Sequence, residues 1–381
     1  DRQEYLGYVP SLWVKQMALK LENILPKENM KLANRKKNFD IDETAYISPA
    51  AILEGNVRIA EHVKIEAGAI LIGDIEVGPY TYIALNAVIK GPVSIGDATH
   101  IYDNTLIDGA RGPDVDVRLD GAYERMKVGS RAWINHGCSI RGTWVEDEGA
   151  VNIAAACDYG TRVGKDAIVA NASATRINQY IAENCFAEGV PAVIKNHNIT
   201  DEDRQDYFGL IPRVWGDFAK NWMGRTDLPR ETYRNLNIHE NAYVHPKAWL
   251  EGNITVGEYS WINAGTCLNG DITIGKYTNI ECNCSIRGGT KIGSFTHIYD
   301  QVCIESGRPG GRVGSVSCEQ PDKTVIGDHV WINHGSTMHG TSIEDGGAVN
   351  IGACCDYNTH IGKGAIVGNH SSTNVNTVIQ N

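Results

Sequence analysis

The sequence predicts an all-β fold with flanking helices: two parallel β-helices in tandem, each preceded by a helical segment. Three observations carry this. First, every sixth residue is aliphatic in two stretches: Leu53, Ile59, Ile65, Leu71, Val77, Ile83, Ile89, Ile95, Ile101 and Ile107, and again Leu250, Val256, Ile262, Leu268, Ile274, Ile280, Ile286, Ile292, Ile298 and Ile304. Neither the helical period of about 3.6 nor the strand period of about 2 gives such a beat. It suits a coil with three flat faces, one hexad to a face, so that each turn takes about 18 residues and like positions stack into an apolar column. Second, the two stretches belong to an internal duplication. Third, Gly often follows the aliphatic residue (Val256-Gly257, Ile274-Gly275, Ile292-Gly293), as expected where the backbone turns a corner with little room for a side chain.

The duplication is nearly gapless. NFDIDETAYISPAAILEGN at 38–56 aligns with NLNIHENAYVHPKAWLEGN at 235–253, Thr99-His-Ile-Tyr-Asp103 with Thr296-His-Ile-Tyr-Asp300, and Trp133-Ile-Asn-His-Gly137 with Trp331-Ile-Asn-His-Gly335. The offset is 197 up to a loop in the middle of each ladder (His100 to His297) and 198 after it (His136 to His334). Tyr5-Leu-Gly7-Tyr-Val-Pro10-Ser-Leu-Trp13 recurs as Tyr207-Phe-Gly209-Leu-Ile-Pro212-Arg-Val-Trp215, each followed by a helix-like run. The repeat unit is therefore a helix and a β-helix, and the helix is expected to cover a side or end of the coil that would otherwise invite edge pairing. Docking to another chain is the alternative role.

The organisation that follows is a helical segment at 1–37, a first β-helix at 38–195, a linker and helical segment at 196–234, and a second β-helix at 235–381. Residues 108–127 and 305–325 break the ladders and are rich in Gly, Pro and charge, so they read as loops thrown out of the coil. Glu188-Gly-Val-Pro191-Ala-Val-Ile-Lys195 resembles the closing turn of many hexapeptide-repeat proteins. The second copy stops at Asn381, before that turn, and the chain starts at Asp1 without Met, so the ends read as processed or incomplete and leave room for a targeting peptide or anchor.

Composition bounds the function. A formal charge of −11 argues against nucleic acid as the main partner. No apolar run approaches the roughly 20 residues that span a bilayer. Of 10 Cys, seven follow residue 260 and none forms C-x-x-C, which suits buried thiols in a reducing compartment, the cytoplasm or another, better than a disulfide framework. Cys157 and Cys355 fall on the ladder and read as core. Cys282 and Cys284 read as stacked small side chains, with a metal site as the alternative.

The strongest site signal is Asn333-His334-Gly-Ser-Thr-Met338-His339-Gly340. His334 lies two places after a ladder residue and His339 one place after the next, which puts both at a corner of one coil, where they could share a metal. Here the chain resembles the gamma-class carbonic anhydrases, over roughly 40–195 and 237–381. The unbroken hexad is similar to their left-handed hexapeptide-repeat β-helix, and their His-x4-His-Gly motif matches His334, His339 and Gly340. The resemblance implies zinc or iron, a third ligand one place past the ladder residue before the loop, and a trimer with sites between subunits. That third position holds Glu305 in the second half and Asp108 in the first. Two imidazoles and a carboxylate form an established catalytic set.

Other positions depart from the family. The first half keeps His136 but has Arg141 where the second has His339. An Arg cannot ligate a cation, so the first-half site reads as lost and His136 as a surface imidazole. His297, Tyr299 and Asp300 stand where the family has Asn-x-Gln-Asp. The Asp is retained, and Tyr in place of Gln puts ordinary carbon dioxide hydration in question. His297 offers an extra ligand or a proton shuttle. The family's Arg that pairs with the Asp across the subunit interface corresponds to Arg287, with Lys90 in the first half.

Three functions are open at this point. The resemblance implies a metal-dependent hydratase or lyase acting on carbon dioxide, bicarbonate or another small electrophile. The scaffold equally suits a hexapeptide-repeat acyltransferase with His136 or His334 as base. The decayed first half suits a non-catalytic subunit of a larger complex. Assembly is expected to be a two-tier homotrimer, or a ring in which first and second halves alternate and Asp108 faces His334 and His339 in place of Glu305.

Overall fold

A computed structural model describes residues 37–109, 125–208, 211–223, 233–306 and 324–380. The first helical segment and most of both mid-ladder loops lie outside the described residues. The chain forms two tandem left-handed parallel β-helices. The first runs from Lys37 to Asn196 and the second from Arg234 to Ile379.

Each coil lays its strands over those of the coil before, in parallel. Leu71 pairs with Ile89, and Ile89 with Ile107, so one turn advances 18 residues (89 − 71). In the second β-helix Leu268 pairs with Ile286, and Ile286 with Ile304. Every ladder residue from Ile59 to Ile107 and from Leu250 to Ile304 is buried, in two separate cores. Because the same position recurs above and below, each ladder residue stacks on an aliphatic residue of the neighbouring coil.

The corner glycines serve close approach rather than unusual torsion. A Cβ on Gly257 would lie 2.6 Å from Gly275 carbonyl carbon, and one on Gly275 would lie 2.6 Å from that of Gly293. Left-handed torsion falls two residues further on in the same corners, at Tyr259 and Tyr277 with φ of +54, and on corners of the first β-helix at Asn86 and Asn104 with φ of +56. Asn is among the residues that tolerate it.

The first β-helix ends in an antiparallel hairpin of Phe186–Gly189 with Ala192–Asn196. Thr200 then caps the helix Asp201–Phe208, its Oγ1 accepting from the Asp203 amide at 3.2 Å while Asp203 Oδ2 accepts from the Thr200 amide at 2.7 Å. This helix and the next, Pro212–Met223, lie back on the first β-helix. Tyr207 stacks on Phe186 at 4.1 Å, Arg204 donates to Asn184 Oδ1 at 2.6 Å, and Gly216 abuts Arg131. No described helix is long and apolar enough to cross a membrane.

Ile286→Ala, at the centre of the second column, should cost about 2–5 kcal/mol in denaturant unfolding. Lys291→Ala, on the outer surface of the same coil, should change stability by less than about 0.5 kcal/mol. Equal effects would contradict a stacked core.

Candidate functional site

The β-helices meet along one face of each. On the first β-helix this face is a row of coil corners. Asn86 Nδ2 donates to Ser285 Oγ at 3.0 Å, Asn104 Nδ2 to the Gln301 carbonyl at 3.1 Å, and Asn171 Nδ2 to Asp356 Oδ2 at 2.7 Å. Ala67 and Leu85 pack against Cys267 and Trp249. On the second β-helix the face is a flat sheet.

The stacking register of that sheet builds half of the site. Arg287, Glu305 and His339 are paired strand to strand, so three successive coils place a cation, a carboxylate and an imidazole in one column. The first β-helix supplies Asp103 and His136 from two successive corners. Arg287 Nη2 reaches Asp103 Oδ2 at 2.7 Å and Glu305 Oε1 at 3.1 Å. Its other terminal nitrogen meets the Tyr82 hydroxyl, and the guanidinium lies 5.2 Å from the centre of the Tyr102 ring.

His136 is wholly buried, with a carboxylate on each side of its ring. Nδ1 is 3.0 Å from Asp103 Oδ2 and 3.4 Å from Cys303 Sγ, and Nε2 is 2.6 Å from Glu305 Oε2. His339 Nε2 is 3.4 Å from the same Glu305 oxygen. Burial works against a second proton on His136, but the Glu305 and Asp103 carboxylates outweigh it and raise the pKa well above the ordinary value. Burial likewise opposes charge on Glu305, and Arg287, His136 and His339 overcome it and hold that carboxyl well below its usual range. Burial pushes the Cys303 thiol up to about 11, so Cys303 is a neutral neighbour of the ring.

One detail bears on what the site can hold. His136 Nε2 and Glu305 Oε2 approach to 2.6 Å as a buried pair. His136 Nε2, Glu305 and His339 converge with all three ligand atoms within 4.8 Å of one another. Two imidazoles and a carboxylate fit zinc or ferrous iron, and ligands of a shared cation point at it rather than at each other. Arg287 is compatible with a cation there, since it engages Oε1 and leaves Oε2 to the imidazoles. Asp103, behind the ring of His136, is placed as the outer carboxylate that commonly orients a ligating imidazole.

Set against the sequence reading, Arg287, Glu305 and His339 come together, but His334 does not join His339. The side chain of His334 is 48% exposed, on the outward corner of its own coil, with Nδ1 3.2 Å from Asp300 and its ring against Tyr299. Stacking explains the separation: a residue two places past the ladder and one on the adjoining face point to different sides of the coil. The imidazole that faces His339 is His136, with ring centres 5.4 Å apart. His136 is thus not a surface residue but lies wholly buried at the joint. Arg287 does pair with the retained Asp across an interface, that of Asp103 between halves of one chain.

His297 and Tyr299 stack on each other at 4.1 Å, and His297 meets Glu281 at 3.2 Å, with Asp300 beside them on an outer face rather than at the joint. Arg141 and Asp108 fall in the corresponding column of the first β-helix, Lys90–Asp108–Arg141. Cys284 is core, whereas Cys282 is half-buried beside Asp300, whose Oδ1 accepts from its amide at 3.1 Å. Sequence reasoning passed over Asp103, Cys303, Tyr82 and Tyr102 as parts of this site. The alternating-halves arrangement was the signal that could have found them, since it sets first-half corners against the second-half column.

No family model and no curated protein matches the chain. Among solved structures, a UDP-N-acetylglucosamine acyltransferase from Francisella novicida is similar at 17% identity, over 51% of this chain and 81% of its own, with a TM-score of 0.28. An N-acyltransferase from Bacillus cereus, solved with dTDP-4-amino-4,6-dideoxyglucose and coenzyme A, is similar at 17% identity over 48% and 90%, with a TM-score of 0.31. A hexapeptide transferase family protein from Anaplasma phagocytophilum is similar at 18% identity over 49% and 89%, with a TM-score of 0.23. Likeness at this level carries no substrate or activity from those proteins to this one.

Arg287→Ala should destabilise the chain by about 3–5 kcal/mol, because it strands two buried carboxylates. Chemical denaturation measures this, and a loss below about 1 kcal/mol would mean that Asp103 and Glu305 do not depend on the guanidinium.

Proposed function

We propose that this chain is a hydratase or lyase for a small electrophile, carbon dioxide or bicarbonate among the candidates, with one divalent zinc or iron held at the joint by His136, Glu305 and His339. The observation that supports it most is the convergence of His136 Nε2 and Glu305 Oε2 with a second imidazole, that of His339, at one largely buried point. Such a cation, when bound, is a Lewis acid that makes water a nucleophile near neutral pH.

The chain's own residues prepare the place. Asp103 and Cys303 occupy the Nδ1 side of His136 and keep Nε2 turned toward Glu305. Arg287 holds Glu305 through Oε1 and fixes the direction of Oε2. Tyr82 and Tyr102 wall the guanidinium. The side chains of His136 and Asp103 are closed to solvent, whereas Glu305 keeps 18% and His339 10% of theirs exposed. An opening of that size favours a small reactant. Without a cation a proton does the same electrostatic work, as an imidazolium between Asp103 and Glu305.

Acyl transfer is the second reading, because a His backed by a carboxylate is also the arrangement of a general base. His136 is the candidate. The reading requires a donor and an acceptor to reach Nε2, which Glu305 covers.

Metal analysis on chain purified without chelator separates the two. The expected result is about one zinc or iron per chain, lost in His136→Ala and His339→Ala and retained in His334→Ala. Carbon dioxide hydration should follow the metal. Metal-free protein with saturable acyl-coenzyme A binding would favour transfer, and neither property would leave a scaffold.

A further inference from the structure

The duplication gives each half both kinds of face that form the joint, and among the described residues one of each kind keeps exposed side chains. The corner row of the second β-helix repeats that of the first. Asp300 corresponds to Asp103, His334 to His136 and Ile351 to Ile153 (offsets 197, 198 and 198). In the joint Asp103 and His136 have relative exposures of 1% and 0%, and Ile153 on the next corner of that row 0%, whereas Ile351 shows 42%, and the side chains of Asp300 and His334 show 45% and 48%. The flat column of the first β-helix likewise repeats that of the second. Lys90 stands for Arg287, Asp108 for Glu305 and Arg141 for His339, beside Val88 and Leu106 in place of Ser285 and Cys303. Lys90, Arg141 and Ile52 are exposed.

The uncovered faces remain complementary. In the joint a cation, Arg287, meets Asp103, and a carboxylate, Glu305, meets His136. Transposed to the open faces, Lys90 would meet Asp300 and Asp108 would meet His334. Apolar surface faces apolar surface as well, with Ile52, Val88 and Leu106 on one side and Ile351 on the other. With Arg141 in place of His339 the transposed site has no second imidazole, so it would be an ion-pair contact without a cation.

We propose that copies of this chain associate head to tail through this second joint, the corner row of one copy's second β-helix docking on the flat column of the next copy's first. Such a heterologous contact closes into a ring or continues as a filament, according to its rotation. The inference does not rest on the proposed cation.

Sedimentation velocity on the chain and on charge-reversed variants tests it. The unaltered chain should associate. Asp300→Lys and Lys90→Glu should each weaken association by about a hundredfold, since like charges would face each other in the joint. The two combined in one chain should restore it. Both residues lie outside the His136 centre, so metal content should stay unchanged, which keeps this test separate from that of the centre, and recovery in the double variant excludes loss of the Asp300 acceptor for the Cys282 amide as the cause. A monomeric unaltered chain, or single variants that associate as it does, would overturn the proposal.

Discussion

Coil-on-coil register is the constraint on which the rest of this structure depends. A parallel stack with 18 residues to the turn sets each residue directly over its counterpart in the coil below (Leu71, Ile89, Ile107). Inside the coil that repetition yields an isoleucine column. On the outer surface it yields columns of a different kind, in which whatever chemistry three successive coils carry at one position is brought together. Arg287, Glu305 and His339 are neighbours for the same reason that Ile286, Ile304 and Met338 are.

A column on one coil is half of a site. The other half comes from the first β-helix, and electrostatics hold the two together. Asp103 and Glu305 are carboxylates largely withdrawn from water, and each needs a positive partner. Arg287 serves both, and His136 stands between them. Removing charges from water costs more than most surface pairs return, so such a cluster is poor material for stability alone. It does favour one register in the joint, since sliding either face by one coil would separate Arg287 from Asp103 and His136 from Glu305.

Duplication followed by divergence gave the two halves different work. The column that became Arg287–Glu305–His339 in one is Lys90–Asp108–Arg141 in the other. His136 and His334 occupy equivalent corners, yet one is sealed in the joint and the other faces solvent. Their roles are set by what lies opposite and not by the coil that carries them.

Sequence alone determined the coil, its period, the duplication and the closing turn at Glu188–Lys195, because each is a repetition or a local pattern along the chain. It also singled out His339 by its place after the ladder residue Met338, whereas Glu305 and Arg287 were marked only through the family resemblance. Only the tertiary structure decided which imidazole faces His339. No spacing along the chain states that corners 86, 104 and 136 of one β-helix lie against the column of the other. That choice is made by surfaces far apart in sequence, through buried charge and shape, and the same His-Gly motif is part of a site at residue 136 and a solvent-facing corner at residue 334.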